Sequence, residues 1–205
     1  MRDAIETKAR ILSVAEDIFS RDGFDGARVD DIAKEAGVNK ALIYYYFKSK
    51  NEILDTLFSK LIEDAKTMLV KSMESTPDIY ENDVYRKLFD MYIRFVSEKR
   101  KIIRVAIAES AKTDIPSPII MELGSLIINA EIETLRKEYE KKGLHFPEDK
   151  HELLVMEFFT GLTPFLCYAL YKEQWEKQYG VSEKALQDYF YQAFKKTHLM
   201  AHLPE

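Results

Sequence analysis

Between positions 38 and 50 the chain carries Lys40, Lys48 and Lys50, three consecutive tyrosines at 44–46, and no acid. Ammonium groups interleaved with phenols suit a polyanion. Lysine donates to phosphate oxygens or to the O6 and N7 of guanine, and a tyrosine hydroxyl hydrogen-bonds phosphate or touches a base. The charge of the whole chain does not favour such a partner, because 30 basic residues face 35 acidic ones for a net −5. Over positions 1–50, nine basic residues balance nine acidic ones, so the −5 falls entirely on positions 51–205. Contact with DNA must therefore come from a local patch.

The elements that position this patch read as helices. Val29, Ile32, Ala33 and Ala36 recur at i, i+3, i+4 and i+7, which gives one apolar stripe on a helix over about 30–36. Gly37 makes a turn, and Asn39 is placed to cap a helix over about 40–47. Ile43 and Phe47 then pack on Ile32 and Ala36. Lys40, Ala41, Tyr44 and Tyr45 are left on or near the outer face. Successive helical residues are about 100° apart, so three tyrosines in a row cannot share that face, and Tyr46 is the one read as packed. Two short helices joined by a glycine turn form a helix-turn-helix, whose second helix fits the major groove. A preceding helix over 4–22, with Ile5, Ala9, Leu12, Ala15 and Phe19 as its apolar stripe, ends at Gly23.

These residues resemble the tetracycline-repressor (TetR) family. The resemblance lies in Gly23-Phe24, Asp31-Ile32-Ala33, Ala36-Gly37-Val38, Lys40-Ala41 and the run Tyr44-Tyr45-Tyr46-Phe47-Lys48-Ser49-Lys50, within about the first 55 residues. It implies an all-α protein in which three N-terminal helices bind DNA and the remaining helices form a ligand pocket and a dimer surface. The domains expected are residues 1–48 and 49–205. Carried over position by position, the resemblance places Arg28, Asn39, Lys40, Ala41, Leu42, Tyr44, Tyr45, Lys48 and Lys50 at the DNA. An outward Leu42 favours a thymine methyl. Lys50 brings its charge and a helix N-terminus toward phosphate. The family commonly has Thr or Ser where Arg28 and Val29 stand. With those hydroxyls gone, Arg28 is expected to take over the phosphate contact and Asp30 the cap.

Beyond position 50 the few prolines and glycines punctuate helix-friendly sequence into about nine helices in all. Helices are expected over 50–73, 81–99, 101–112, from Pro118 to about 142, 149–178 and 182–197, with breaks at Pro77, Pro116–Pro118, Gly143–Pro147 and Gly180. The stretch Phe158–Tyr171 is apolar on every side and has to be covered on every side. It is shorter than a membrane span requires, so it reads as a buried helix. Pro164 cannot donate to the carbonyl of Thr160 and predicts a kink. If that kink borders a cavity, Tyr92, Phe95, Phe158, Gly161, Phe165 and Tyr168 line it and select an apolar or aromatic ligand. Otherwise the same residues are core. Phe159 and Leu162, with Leu186, Tyr189, Phe190, Ala193 and Phe194 of the last helix, form the expected four-helix dimer interface. By resemblance, a homodimer grips a near-palindromic operator, and ligand binding releases it.

Other chemistries find little support. His151-Glu152 begins a zinc-protease pattern, but position 155 is valine. His198 and His202 share a spacing of four at a terminus read as frayed, so no metal is expected. No nucleophile elbow, phosphate loop or dinucleotide fingerprint occurs, so the chain is read neither as an enzyme nor as holding a cofactor. The lone Cys167 reads as a small buried side chain, suited to a reducing cytoplasm, and no signal-peptide pattern opens the chain. Glu109 sits in an apolar helix as either a ligand partner or a satisfied structural acid. The competing reading is a DNA-bound interaction or structural factor that uses the same head and takes no small ligand.

Overall fold

The computed structural model describes residues 2–75, 82–112, 118–146 and 149–202. Among them it holds nine α-helices and no strand: α1 (Arg2–Asp22), α2 (Val29–Glu35), α3 (Lys40–Tyr46), α4 (Lys50–Ser75), α5 (Asn82–Glu98), α6 (Arg100–Ser110), α7 (Ile119–Lys141), α8 (Lys150–Tyr179) and α9 (Glu183–Thr197). A short 3-10 turn, Leu199–His202, follows α9. The breaks expected at Pro77, Pro116 and Pro147 lie outside the described residues. The chain folds as two compact units, residues 1–64 with 101–121, and residues 65–100 with 122–205.

In the first unit, α1 buries Ile11, Ala15, Ile18 and Phe19. Ile5 and Ala9, expected on that stripe, are exposed. The covered face is set one position earlier at its centre, where Ile11 and Ile18 take the places given to Leu12 and its neighbours. Ile32, Ala33 and Ala36 of α2, Ile43 of α3, and Phe47 complete the same core. Gly37 turns the chain between α2 and α3 with φ 64°, a left-handed conformation that costs a residue with a Cβ about 1–2 kcal/mol. Asn39 caps α3 as expected, its side-chain oxygen accepting from the Leu42 N–H at 2.7 Å. The start of α2 differs from expectation. Arg28 is its N-cap residue and makes no side-chain cap bond, and Asp30 does not supply one either. The Asp30 carboxylate is instead held by Lys40 at 2.9 Å. The other end of α2 gains a partner the sequence did not suggest: Arg10 Nε donates to the Ala36 carbonyl at 3.0 Å.

Helix α6 belongs to this unit as well. Lys101 pairs with Asp17 of α1 at 2.6 Å, and Lys112 reaches both Asp25 and Glu109 at 2.8 Å. Glu109 is therefore a satisfied structural acid. That resolves the pair of readings left open for it.

The second unit is built on aromatic packing among α5, α8 and α9. Phe89 meets Phe165, Phe190, Tyr191 and Phe194 with ring centroids 5.1–5.9 Å apart. The irregularity expected around Pro164 takes a particular form. Residues Glu157–Leu162 are a π-helical turn, and the Thr163 N–H donates five residues back to Phe158. Wider spacing over that turn shifts the register of the ladder, and Pro164, which has no N–H, falls at the start of the α-helical stretch that resumes at Thr163. Thr163 and Thr160 hydroxyls donate to the carbonyls of Phe158 and Met156, each at 2.7 Å, so the widened turn keeps its acceptors occupied. Helix α8 is longer than its uncharged stretch, and by length and composition alone a part of it would suffice to cross a membrane. Its inner side, including Leu162, Phe165, Leu166 and Ala169, is packed in this core.

Candidate nucleic-acid interface

Helix α3 can present side chains only because its other face is anchored. Ile43 is fully buried, and Phe47, at its end, is buried with it. One turn on the opposite side lie Lys40, Ala41, Tyr44 and Tyr45, all exposed, with Tyr45 at 79% the most open aromatic of the head. Tyr46 is the least exposed of the three tyrosines, and its ring meets that of Tyr45 edge-on at 5.1 Å. Leu42 is half-buried, and its N–H belongs to the Asn39 cap. Arg28, Asn39 and Lys48 are exposed around this face.

The lysines differ in what holds them. The Lys40 ammonium is on Asp30, and the hydrogen bond to that carboxylate favours its charged form. Both groups are largely solvated, and exposed ion pairs of this kind are weak. A phosphate or a guanine edge can compete for Lys40. Lys50 is bound otherwise. Its Nζ donates to the carbonyls of Phe24 at 2.7 Å and Ala27 at 2.9 Å, and it stands 4.4 Å from the centre of the Phe24 ring. Those bonds direct its charge into the loop between α1 and α2, not outward to phosphate. The N-terminus of α4 is capped from within, since Ser49 Oγ accepts from the Glu52 N–H and Glu52 accepts from the Lys48 N–H. A carboxylate lies where the sequence reading put a phosphate.

Within the second unit, the residues expected to line a cavity are packed among themselves. Phe165 touches Tyr92 at 5.5 Å and Phe194 at 5.0 Å, and Tyr168 stacks on Phe190 at 5.2 Å with rings 12° from parallel. Phe95 is buried, and Phe158 lies within reach of Gly124, where an added Cβ would meet its ring at 3.4 Å. Tyr168 is buried away from water, which pushes its hydroxyl up to about 12 with the carboxylates of Glu183 and Glu176 adding to the shift. Gly161 lies against His198 and Glu157.

The residues expected at a dimer interface divide into two groups. Phe159 (64% exposed), Tyr189 (68%) and Ala193 face outward, and Leu186 is half-covered. Leu162 and Phe194 are buried inside the subunit, and Phe190 is half-buried in the aromatic cluster, so these three contribute to the core first. The outward side of α8 has a longer pattern than was read. Val155, Phe159, Cys167, Tyr171, Trp175 and Tyr179 are exposed at multiples of four, with Thr163 half-covered in the gap. Cys167 is therefore a surface thiol, not the buried side chain expected. The reason is its phase on the helix: it shares a face with Phe159 and Tyr171, while Leu166 and Tyr168 on either side point inward.

A helix-turn-helix with an exposed basic and aromatic recognition face, carried on an all-helical body, defines a DNA-binding transcription regulator. Residues 11–57 match the family model described as bacterial regulatory proteins, tetR family. Along most of its length the chain is similar to an uncharacterized HTH-type transcriptional regulator, YhgD of Bacillus subtilis. The two are 28% identical over 189 residues, or 88% of this chain and 90% of the relative. The HTH-type transcriptional repressor SCO4008 of Streptomyces coelicolor is 42% identical over 87 residues, 42% of this chain and 43% of that one. In fold, the fatty acid degradation regulator FadR of Bacillus halodurans superimposes with a TM-score of 0.65 at 22% identity, covering 92% of this chain and 94% of that chain.

Proposed function

We propose that the chain is a cytoplasmic homodimeric repressor that binds a near-palindromic operator through α3 and leaves it when a small apolar ligand enters the second unit. The observation that carries this reading is the two-sided construction of α3, with Ile43 and Phe47 locked inside and Lys40, Ala41, Tyr44 and Tyr45 free to meet a groove. Lys40 and Arg28 supply charge, Tyr44 and Tyr45 supply hydroxyls and ring faces, and Ala41 with the edge of Leu42 supplies apolar contact to thymine methyls. Lys50 supports the head from within. The functional boundary near residue 48 stands as part of this reading, although residues 49–64 and 101–121 fold in one compact unit with the head.

The outward stripe of α8, with Tyr189 and Ala193 of α9, supports pairing of two copies, because six large or apolar side chains in one line need a cover. The aromatic lining around Phe165 supports an apolar effector. Since the fold is shared with a fatty acid degradation regulator, long-chain fatty acids belong at the head of the panel to be tried, beside planar aromatics.

The test is fluorescence anisotropy with duplex fragments from the DNA upstream of this reading frame, at two salt concentrations, comparing the wild type with a Lys40→Ala/Tyr45→Ala double variant. Salt-sensitive binding to one near-palindromic fragment, lost in the double variant, is the expected result. Equal binding by both proteins would remove α3 as the reading element.

A further inference from the structure

Asp30 is an acid at the edge of a face built for a polyanion. It supplies no cap to α2, and its carboxylate is turned to Lys40, ten positions on. The Lys40 Nζ lies 2.9 Å from Oδ2 and 2.9 Å from Oδ1, so the ammonium straddles both oxygens. Both side chains are open to solvent. Ile32, Ala33 and Ile43 are buried in the core that holds α2 on α3, and this brings positions 30 and 40 together. Lys40 opens α3, and Tyr44, one turn further on, is exposed on the same face.

Phosphates wall both sides of a DNA groove and repel a carboxylate. Inside the major groove the donors that a carboxylate meets are the amino groups at cytosine N4 and adenine N6. An ammonium and a carboxylate in contact place a donor beside an acceptor, and a G·C pair offers the complement. Guanine O6 accepts and cytosine N4 donates. These two atoms are hydrogen-bonded to each other, so they stand about 2.9 Å apart, which matches the spacing of the side-chain pair. The ammonium has three hydrogens. Asp30 takes one, and two remain for O6 and N7 of guanine. The carboxylate keeps lone pairs for the cytosine amino group, so the base is met without breaking the Lys40–Asp30 bond. On adenine the same pair would span N7 and N6, and the ammonium would then face an amino group where guanine has O6.

We propose that Asp30 and Lys40 read one G·C base pair in each half of the operator as a single unit, with Lys40 on the guanine and Asp30 on its cytosine. Asp30 is thereby a specificity-determining residue, and Lys40 reads a base instead of a phosphate. The assignment rests on α3 being the element that enters the groove.

The test is selection by the full-length protein from a random duplex library, with sequencing of the bound fraction to give the base preference at every position. The wild type is expected to enrich a motif with a G·C pair at one position of each half-site. Asp30→Ala removes an exposed side chain and leaves the core intact. Its discrimination at that position is expected to fall by roughly 5- to 150-fold, the range of one good base contact, with preferences elsewhere in the motif unchanged. Lys40→Ala should lose discrimination at the same position, and the double variant should lose less than the product of the two single losses, because the residues act together. Asp31→Ala is the control for charge. It removes an acid one residue along, also from an exposed position, and should tighten binding to all sequences alike. An Asp30→Ala protein that keeps the wild-type motif and only binds every duplex more tightly, as Asp31→Ala does, would overturn the assignment. So would an A·T pair at the position that responds. A wild type that enriches no motif removes the DNA-reading function and the assignment with it, whereas a motif indifferent to Asp30 ends the assignment alone and leaves that function standing.

Discussion

Lys48 and Lys50 are two residues apart and identical in type, yet the structure gives them different work. Lys48 uses only its backbone N–H, toward Glu52, and its side chain is exposed beside α3. Lys50 holds the Phe24 and Ala27 carbonyls with a charged donor. Hydrogen bonds to charged groups contribute about 1.5–3 kcal/mol each when partly buried. Lys50→Met is thus expected to destabilise the protein by about 2 kcal/mol in urea unfolding, with operator binding reduced at all salt concentrations alike. Lys48→Ala should leave the unfolding curve unchanged and lower the slope of log affinity against log salt by about one. The reverse assignment, a lost salt slope in Lys50→Met at full stability, would return Lys50 to the phosphate face. Composition marked both lysines as basic residues near α3. The carbonyls that capture Lys50 come from residues 23–26 positions away, so no local spacing announced them.

At the scale of elements, most of the architecture was legible because helix ends carry chemical marks. Asn39, Asp149 and Ser182 cap where their side chains allow, and Gly180 ends α8 in a left-handed conformation. What stayed hidden was the phase of a helix whose sequence is apolar on several sides. Phe158–Tyr171 gives no polar face from which to read direction, and only packing assigns Leu162 to the core and Cys167 to the surface. Pro164 signalled a disturbed ladder but not that it would be a π turn. Asn39→Ala tests the cap as an element. Losing the acceptor for Leu42 N–H is expected to cost about 1 kcal/mol, read as a lowered urea midpoint. Asn39→Ser should recover most of that stability. If Asn39 also touches DNA, affinity will stay low in the serine variant after stability has returned, which separates the two roles.

For the whole molecule the decisive quantity is how much a second head adds. One recognition helix with a few phosphate contacts binds DNA weakly, and a net charge of −5 gives the rest of the chain no attraction for it. Linking two heads makes the second binding step intramolecular, which raises affinity by roughly 10²–10⁴ when the half-sites are spaced to match. The exposed line from Phe159 to Tyr179 is the surface proposed to make that link. Phe159→Glu with Tyr189→Glu places two charges on exposed positions of the stripe without entering the core, so the subunit should remain folded and sediment as a monomer. Its affinity for the full operator is expected to fall to that of wild type for a half-site duplex. Separating the half-sites by about five base pairs turns them to opposite faces of the duplex and should weaken wild-type binding to the same level, whereas the charge variant should be indifferent to spacing. Cys167 reports on the same surface: its thiol is open in the single subunit, so labelling with a thiol reagent should be slow in the wild type and fast in the charge variant. A variant that stays dimeric, keeps Cys167 protected and still senses half-site spacing would move the subunit contact off α8 and onto another face.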